Sequence, residues 1–325
     1  MSDAIRVVRL VRHGEPLPAF ERFLDSYRRH DAGIAHRLVL LCKGFTTRSD
    51  LTPVLERLGG LPADCLEVPD DGYDLTAYRR AAARLDGAIA CFLNSHSVVL
   101  CPGWLEHLCA GLTPAVGIVG ATGSWYSAQS NARRLLGFPG AYSQLIPDRR
   151  WYLAQSERLG EQAADPAAIE RRPRPALRRL HTACTLVGHL VLFGPFPARH
   201  IRTNAFVIRV DTLGRLRFPV LRTKLRAHQL ESGRGSITAQ LVAMGLETLV
   251  AGRDGHLYRP SEWADSDTLW QARQDNLLVA DNQTERYRRA DLELRTLLSK
   301  AAWGTEARPA PPAPDALTSA VPSSR

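Results

Sequence analysis

Lysine is nearly missing from this chain. Lys43, Lys224 and Lys300 are the only three among 42 basic residues, so arginine carries the positive charge. The six cysteines, at 42, 65, 91, 101, 109 and 184, include no C-x-x-C pair and no metal-ligand spacing. That excludes a zinc ribbon or finger and reads as a reduced, cytosolic chain whose thiols serve as small core residues. Long apolar runs are also missing. The longest, TACTLVGHLVLFGPFPA at 182–198, contains His189, Gly194 and two prolines and falls short of the roughly 20 residues a membrane span needs. The opening MSDAIRVVRLVRHGE has no apolar segment followed by a small-residue cleavage site, so no secretory leader is expected. No internal repeat is present. No helix-turn-helix, zinc-finger or RNA-recognition signature accompanies the arginines, which are spread along the chain, so nucleic acid is not an expected partner.

What is present is a 325-residue chain, 45% hydrophobic, with a net charge of +9 and a pI near 9.6. Such a length can bury one large core or two smaller ones, and the charge favours anionic partners: nucleotides, phosphorylated lipids, an acidic membrane face or, without a signature to support it, nucleic acid. Apolar, β-branched runs at IRVVRLV (5–11), RLVLLC (37–42), CLEV (65–68), AIACFL (88–93) and AVGIVG (115–120) read as strands. Helical spacing separates them: Phe20, Phe23, Leu24 and Tyr27 lie on one stripe, LTPVLERL stops at Gly59–Gly60, and LTAYRRAAARLD and WLEHLCAGL follow. Strands that are continuous rather than alternating, regularly separated by helices, predict an α/β fold with a mostly parallel sheet covered by helices on both faces. Beyond residue 125 the pattern weakens. Residues 126–199, with the arginine-rich ERRPRPALRR at 170–179, read as an insertion on the acceptor side of a site, and that basic run is a candidate for an anionic membrane surface. HIRTNAFVIRVDTL returns to a strand, ITAQLVAMGLE to a helix, and 262–300 is helical in part. One domain is expected over 1–304, with a Pro/Ala/Ser-rich disordered tail over 305–325.

In open α/β sheets ligands bind where strands leave the sheet at their carboxyl ends. In CFLNSHSVVLCPGWLEHL, four polar residues, Asn94, Ser95, His96 and Ser97, occupy such an exit. This stretch resembles the strand-to-helix segment of glycosyltransferases with the GT-A fold, a Rossmann-like α/β architecture. There an apolar strand ends in an acidic D-x-D-type motif, followed by a small apolar stretch, Pro-Gly and Trp-Leu. Here Phe92-Leu93 precede the motif position and Pro102-Gly103-Trp104-Leu105 follow it. HIRTNAF, VGATGSW, LESGRGSIT and ADNQTERY add to the resemblance, which covers most of residues 5–290 and extends to glycosyltransferase-like proteins of bacteria and to the large inverting nucleotide-sugar transferase family. It implies transfer of a sugar from a nucleotide-sugar donor to a hydroxyl of a glycan or lipid-linked acceptor in bacterial surface-polysaccharide synthesis. The expected location is the cytoplasm, with peripheral contact to the inner membrane.

The motif itself departs from the family, with Asn-Ser-His where two carboxylates would hold Mg²⁺ or Mn²⁺. Hard divalent cations want anionic oxygen, and a leaving nucleoside diphosphate needs its charge neutralised. Asn94 offers a neutral carbonyl and His96 an imidazole, which suits Mn²⁺ better than Mg²⁺. Two alternatives stay open: a metal held weakly with His96 as a ligand, or no metal, with arginines such as Arg202 and Arg234 contacting phosphate oxygens. The resemblance places the donor against His13 and Glu15 after the first strand, Asp70 and Asp74 after the third, Asn94, Ser95 and His96 in the motif, and Arg202 and Asn204 ahead of a later strand. Each has a plain structural alternative, such as an Asp/Gly turn at 70–74 or a helix cap at Asp74. Trp125 is read either as an acceptor-stacking ring or as core. Glu231, ahead of the helix at 237, is the candidate base that takes the acceptor hydroxyl proton, with His228 as substitute. Asp281 reads as a turn or cap residue. A chain that has lost its metal and its turnover, and now holds a nucleotide sugar, a glycan or a partner enzyme, is the alternative function.

Overall fold

The structure is a computed structural model and describes residues 5–136, Phe138 and residues 175–311. Its centre is an eight-stranded sheet. Strands β1 (Ile5–Arg12), β2 (Arg37–Lys43), β3 (Ala63–Val68), β4 (Ile89–Leu93), β6 (Val116–Gly120) and β10 (Glu247–Ala251) share one direction. β9 (Ala205–Arg209) and β11 (Leu257–Tyr258) run against them, in the order β11-β10-β6-β9-β4-β1-β2-β3. The predicted mostly parallel sheet is therefore correct, with one qualification that matters for function. β9 is wedged antiparallel between β4 and β6, so its starting residues lie at the same edge as the carboxyl ends of the parallel strands. Two short ribbons flank that edge: β5 (Val98–Val99) with β12 (Val279–Ala280), and β7 (Gly123–Ser124) with β8 (His200–Ile201).

Burial on both faces explains why the strands read as unbroken apolar runs. Val7 and Val11 of β1 point to one core with Phe20, Phe23, Leu51 and Trp104 from helices α1 (Leu17–Arg29), α2 (Arg48–Arg57) and α4 (Trp104–Ala110). Val8 and Leu10 point to the other. There they meet Tyr78 of α3 (Asp74–Ala82), Leu213 of α7 (Val210–Arg215), Leu230 of α8 (Lys224–Ser232) and Ile237 of α9 (Ile237–Ala243). Two further helices, α5 (Ala128–Leu135) and α6 (Pro175–Leu192), pack on each other, and α10 (Asn282–Arg289) and α11 (Leu292–Trp303) close the described chain. No helix among the described residues is long and apolar enough to cross a membrane.

Several local expectations are corrected. The predicted core cysteines are buried at 42, 91 and 101, but Cys65 and Cys184 are exposed. Asp74 does not cap α3: it is the first helical residue, Tyr73 takes the cap position, and no side chain caps that end. The first residues of the segment read as a tail pack on the domain. Residues 304–306 form a 3-10 turn, and the backbone of Arg308 donates to Gln271 Oε1 while its guanidinium meets Asp265. Buried Gln271 gathers this segment by donating to the Glu306 carbonyl as well, so specific hydrogen bonds hold a stretch with little apolar area to bury. Residues 312–325 lie outside the described residues. So does 170–174 of the basic run ERRPRPALRR, whose remaining residues open α6.

Candidate functional site

The start of β9 organises the carboxyl edge of the sheet. The Asn204 carbonyl accepts from the backbone N–H of Asn94, and the Asn204 side-chain carbonyl accepts from the Thr122 hydroxyl beyond β6 at 2.7 Å. Arg202 reaches Asp281 at 2.8 Å and the Thr122 hydroxyl at 3.4 Å. Thr203 donates its backbone N–H and its hydroxyl to the Glu231 carboxylate at 3.1 and 3.0 Å. Three consecutive residues thus tie the exits of β4 and β6 to α8 and α10. The structure brings together Asn94, Arg202, Asn204, Glu231 and Asp281, which are distant in sequence.

Within the motif turn the four polar side chains have different tasks. Asn94 Oδ1 accepts from the His96 backbone N–H at 2.9 Å and lies 3.0 Å from the Ser97 hydroxyl, closing an Asx-type turn. Ser97 shares its one proton between that oxygen and the Asn204 carbonyl. Ser95 is buried, and its carbonyl accepts from the guanidinium of Arg9 at 2.6 Å. His96 alone presents an exposed side chain. The Asn94 oxygen is thus engaged in its own turn and, being neutral, is a poor ligand for a hard cation. Among the described residues no group of three or more His, Cys, Asp or Glu could hold a metal ion. The donor set of this turn therefore does not fit a hard divalent cation. His96→Ala is expected to leave thermal stability within about 0.5 kcal/mol of wild type, as for other exposed side chains. Thermal melts with and without Mn²⁺ check this, and a Mn²⁺-dependent stabilisation lost in the variant would make His96 a ligand after all.

Glu231 is the chemically loaded group. It stands ahead of α9, as its sequence context suggests, but is itself in the last turn of α8, and it is half-buried. Burial pushes its carboxyl up. Arg202, then His200 and His228, together with the Thr203 N–H, more than offset that and hold it below the ordinary glutamate value. The carboxylate is thus ionised at neutral pH. Burial lowers His200 and His228, and the Glu231 charge only partly opposes this, so both imidazoles are neutral there. His228 stacks on Tyr126 at 6.3 Å and tilts against Phe193 at 4.7 Å, with His189 edge-on at 5.9 Å. An ionised carboxylate fixed by two donors beside neutral imidazoles can accept a proton from a hydroxyl placed against it.

The remaining predicted residues divide between open edge and packed interior. His13 and Gly14 turn the chain after β1. His13 is exposed with its ring edge-on to Phe45 at 5.5 Å, and Gly14, at a φ of +77°, has open space where a side chain would stand. Glu15 is half-buried, with one carboxylate oxygen unpartnered. Asp70 is exposed, ion-paired at 2.9 Å to buried Lys43, whose ammonium also donates to the Gly72 carbonyl. The hydrogen bond and charge of Lys43 hold the Asp70 carboxyl below its ordinary value. Gly44, at +82°, leaves the room that Asp70 needs, because a Cβ there would lie 2.9 Å from the Asp70 Cβ. Asp74, half-buried, stands 4.0 Å from the exposed Arg12.

Trp125 is not an acceptor platform. It is 8% exposed, donates to the Pro260 carbonyl at 2.9 Å and packs against Trp303 at 5.5 Å. The residue presented toward His228 is its neighbour Tyr126. Asp281 caps α10 in a full capping box, as its sequence suggested, and also pairs with Arg202. Arg9 escaped sequence reasoning altogether. It lies fully buried in β1, its guanidinium is 4.8 Å from the Phe23 ring, and burial lowers its pKa to about 10 while Glu15 opposes. The one available signal was arginine at every third position, 6, 9 and 12, of an otherwise apolar strand, IRVVRLVR. Arg9 Nε, Tyr78 Oη and Asn204 Nδ2 are buried and without partners among the described residues.

No protein-family model matches the chain, and no curated protein matches it. Among solved structures, a mannosyltransferase from Pyrobaculum calidifontis, in complex with GDP-mannose and Mn²⁺, aligns at 16% identity and a TM-score of 0.32 over 39% of this chain and 40% of that one. A glucosyl-3-phosphoglycerate synthase from Mycobacterium tuberculosis, in complex with Mn²⁺, UDP and glucosyl-3-phosphoglycerate, aligns at 17% and 0.38 over 75% and 67%. A CMP:2-keto-3-deoxy-manno-octonic acid synthetase complexed with CTP aligns at 13% and 0.39 over 76% and 89%. The chain thus spans less than half the length of the mannosyltransferase, and at such identities and scores none of these likenesses bears on its chemistry.

Proposed function

We propose that the protein is a glycosyltransferase that moves a sugar from a nucleotide-sugar donor to a hydroxyl of a glycan or lipid-linked acceptor, in the synthesis of bacterial surface polysaccharide. The observation that carries this reading is the Glu231 carboxylate: ionised, aimed by Thr203, and set at the sheet edge where the motif turn and the β9 start converge. In this reading the donor lies along His13, Asp70, Asp74 and the motif turn, where carboxylates can accept from ribose or base, and Glu231 takes the acceptor proton as the anomeric carbon loses its diphosphate. The charge on that leaving group falls to guanidinium groups, because the motif turn lacks a fit for a metal. Arg234, exposed at the end of α8, is one such cation.

A second reading, a binding protein for nucleotide sugar or glycan without turnover, is favoured by the occupied Asn94 carbonyl. The two separate on one experiment. Thermal shift with UDP-, GDP- and dTDP-sugars identifies a donor, because a ligand that binds only the native state raises the melting point. Donor hydrolysis is then followed with and without Mn²⁺. The transferase reading expects a shift and turnover, the binding reading a shift alone, and no shift with any donor removes both.

A further inference from the structure

The geometry points to an anionic lipid bilayer as the partner of the loop between α7 and α8. Between Asp211 and Glu231 the chain carries five cations, Arg215, Arg217, Arg222, Lys224 and Arg226, and no carboxylate. All five are exposed. At the loop's tip Pro219 is exposed and Val220 is 75% exposed, the most exposed large aliphatic side chain among the described residues. This exposure does not come from a loose loop. Leu216 and Leu221 on either side are buried in the core, and Gln240 clamps the backbone of Arg217 from both directions, accepting its N–H at 2.7 Å and donating to its carbonyl at 3.1 Å. A pinned loop that holds an aliphatic tip in water, ringed by cations, has a hydrophobic cost and a self-repulsion that an anionic interface removes together.

The surface beside the loop has the same character. A groove of about 770 Å³ runs from Asp71–Tyr73, next to the Asp70 and Asp74 edge of the site, to Phe218–Arg222. Arg79 lies over the Phe218 ring at 5.3 Å, and the carboxylate lining the groove, Asp71, is already held by Arg80. What remains is apolar surface with surplus positive charge, the match for headgroup phosphates above the acyl boundary. A soluble anion would be drawn to the same arginines but has no use for an aliphatic tip, so the pairing of Val220 with the cations selects the bilayer. The groove's continuity with the sheet edge would also bring a lipid-linked acceptor to the site. That consequence rests on the transferase reading, whereas the surface itself does not.

The test is co-sedimentation of the full chain with vesicles of phosphatidylglycerol in phosphatidylcholine, against phosphatidylcholine alone, and it requires no turnover. Wild type is expected to sediment with the anionic vesicles only and to be released by high salt. Arg217→Glu/Arg222→Glu should weaken binding by about tenfold or more, and Val220→Asn should weaken it several-fold without altering the charge. Should the double reversal fail to fold, Lys224→Ser/Arg226→Ser carries the same expectation. Equal binding to neutral vesicles would overturn the assignment. So would unaltered binding by folded loop variants, or a loss produced by Arg171→Glu/Arg172→Glu while the loop variants bind like wild type.

Discussion

Glu231→Gln is expected to lower turnover of the donor–acceptor pair by about 10²–10⁴-fold, the usual contribution of a positioned general base, and to leave donor affinity unchanged. The amide keeps an oxygen that can accept from the Thr203 N–H and hydroxyl, at present 3.1 and 3.0 Å from the carboxylate, so the local geometry survives while the basic electron pair is lost. Glu231→Ala would also orphan those donors and mix a structural effect with the chemical one, which is why the amide is the informative change. The pH profile gives a second readout. Arg202 and the two histidines hold Glu231 below its ordinary value despite burial, so activity should persist through the ordinary carboxylate range and fall only below it. Single-turnover kinetics with isothermal titration for donor binding decide the matter. A variant that turns over like wild type removes Glu231 from the chemistry. One that fails to bind donor makes it a binding residue instead.

The largest stability effect is expected at Asp281. Its carboxylate is 1% exposed and pairs at 2.8 Å with Arg202, itself 14% exposed, while its other oxygen accepts from the N–H groups of Gln283 and Thr284 as the α10 cap. Asp281→Ala leaves a largely buried guanidinium with one long hydrogen bond, to Thr122, and only the Glu231 charge nearby, and it strips the cap. Removing one partner of a buried pair costs about 3–5 kcal/mol, and the lost cap adds about 1 kcal/mol. Asp281→Asn keeps an oxygen for the cap and should fall between. Arg202→Met combined with Asp281→Asn should regain part of the loss, since an apolar replacement of a buried pair is often close to neutral.

The acid sensitivity has a defined sign. Burial pushes the Asp281 carboxyl up, but Arg202 and the Thr284 N–H bring it below the ordinary aspartate value. The stability it adds is therefore complete above that ordinary value and is lost as pH falls through the range down to the folded one. The buried imidazoles of His200 and His228 are lowered too, so wild type should begin to lose stability at higher pH, as it falls through the ordinary imidazole range. Urea denaturation across pH, with the slope held constant, should show both windows in wild type and a loss of the lower one in Asp281→Asn. A cost below about 1 kcal/mol for Asp281→Ala would mean that the pair behaves as a surface ion pair.

The sheet was legible because its strands are buried on both faces. Leu38 to Cys42 and Ala90 to Leu93 are apolar at every position since both sides meet helices, and that pattern needs no knowledge of partners. Turns were legible where glycine is obligatory, as at Gly59 and Gly60, both left-handed. The polar exit at Asn94–Ser97 was legible as a strand end for the same reason, but not the division of labour within it. That Asn94 spends its carbonyl on its own turn, and that Ser97 answers to Asn204, depends on a strand 107 residues away. Trp125 could equally have been a platform or core from its position after a strand, and the neighbouring Trp303 and Pro260 settled it.

Periodicity and composition by themselves determined the parallel layer of this protein and the edge at which its polar residues gather, because backbone pairing and burial leave a mark in every local window. The antiparallel insertion of β9 was decided only in three dimensions. So were the pairing of Arg202 with Asp281 across 79 residues and the grip of Thr203 on Glu231 across 28. A charge carries no local trace of the partner it will meet, and its effect on a carboxylate falls with distance and rises with burial, both of which exist only once the chain has folded.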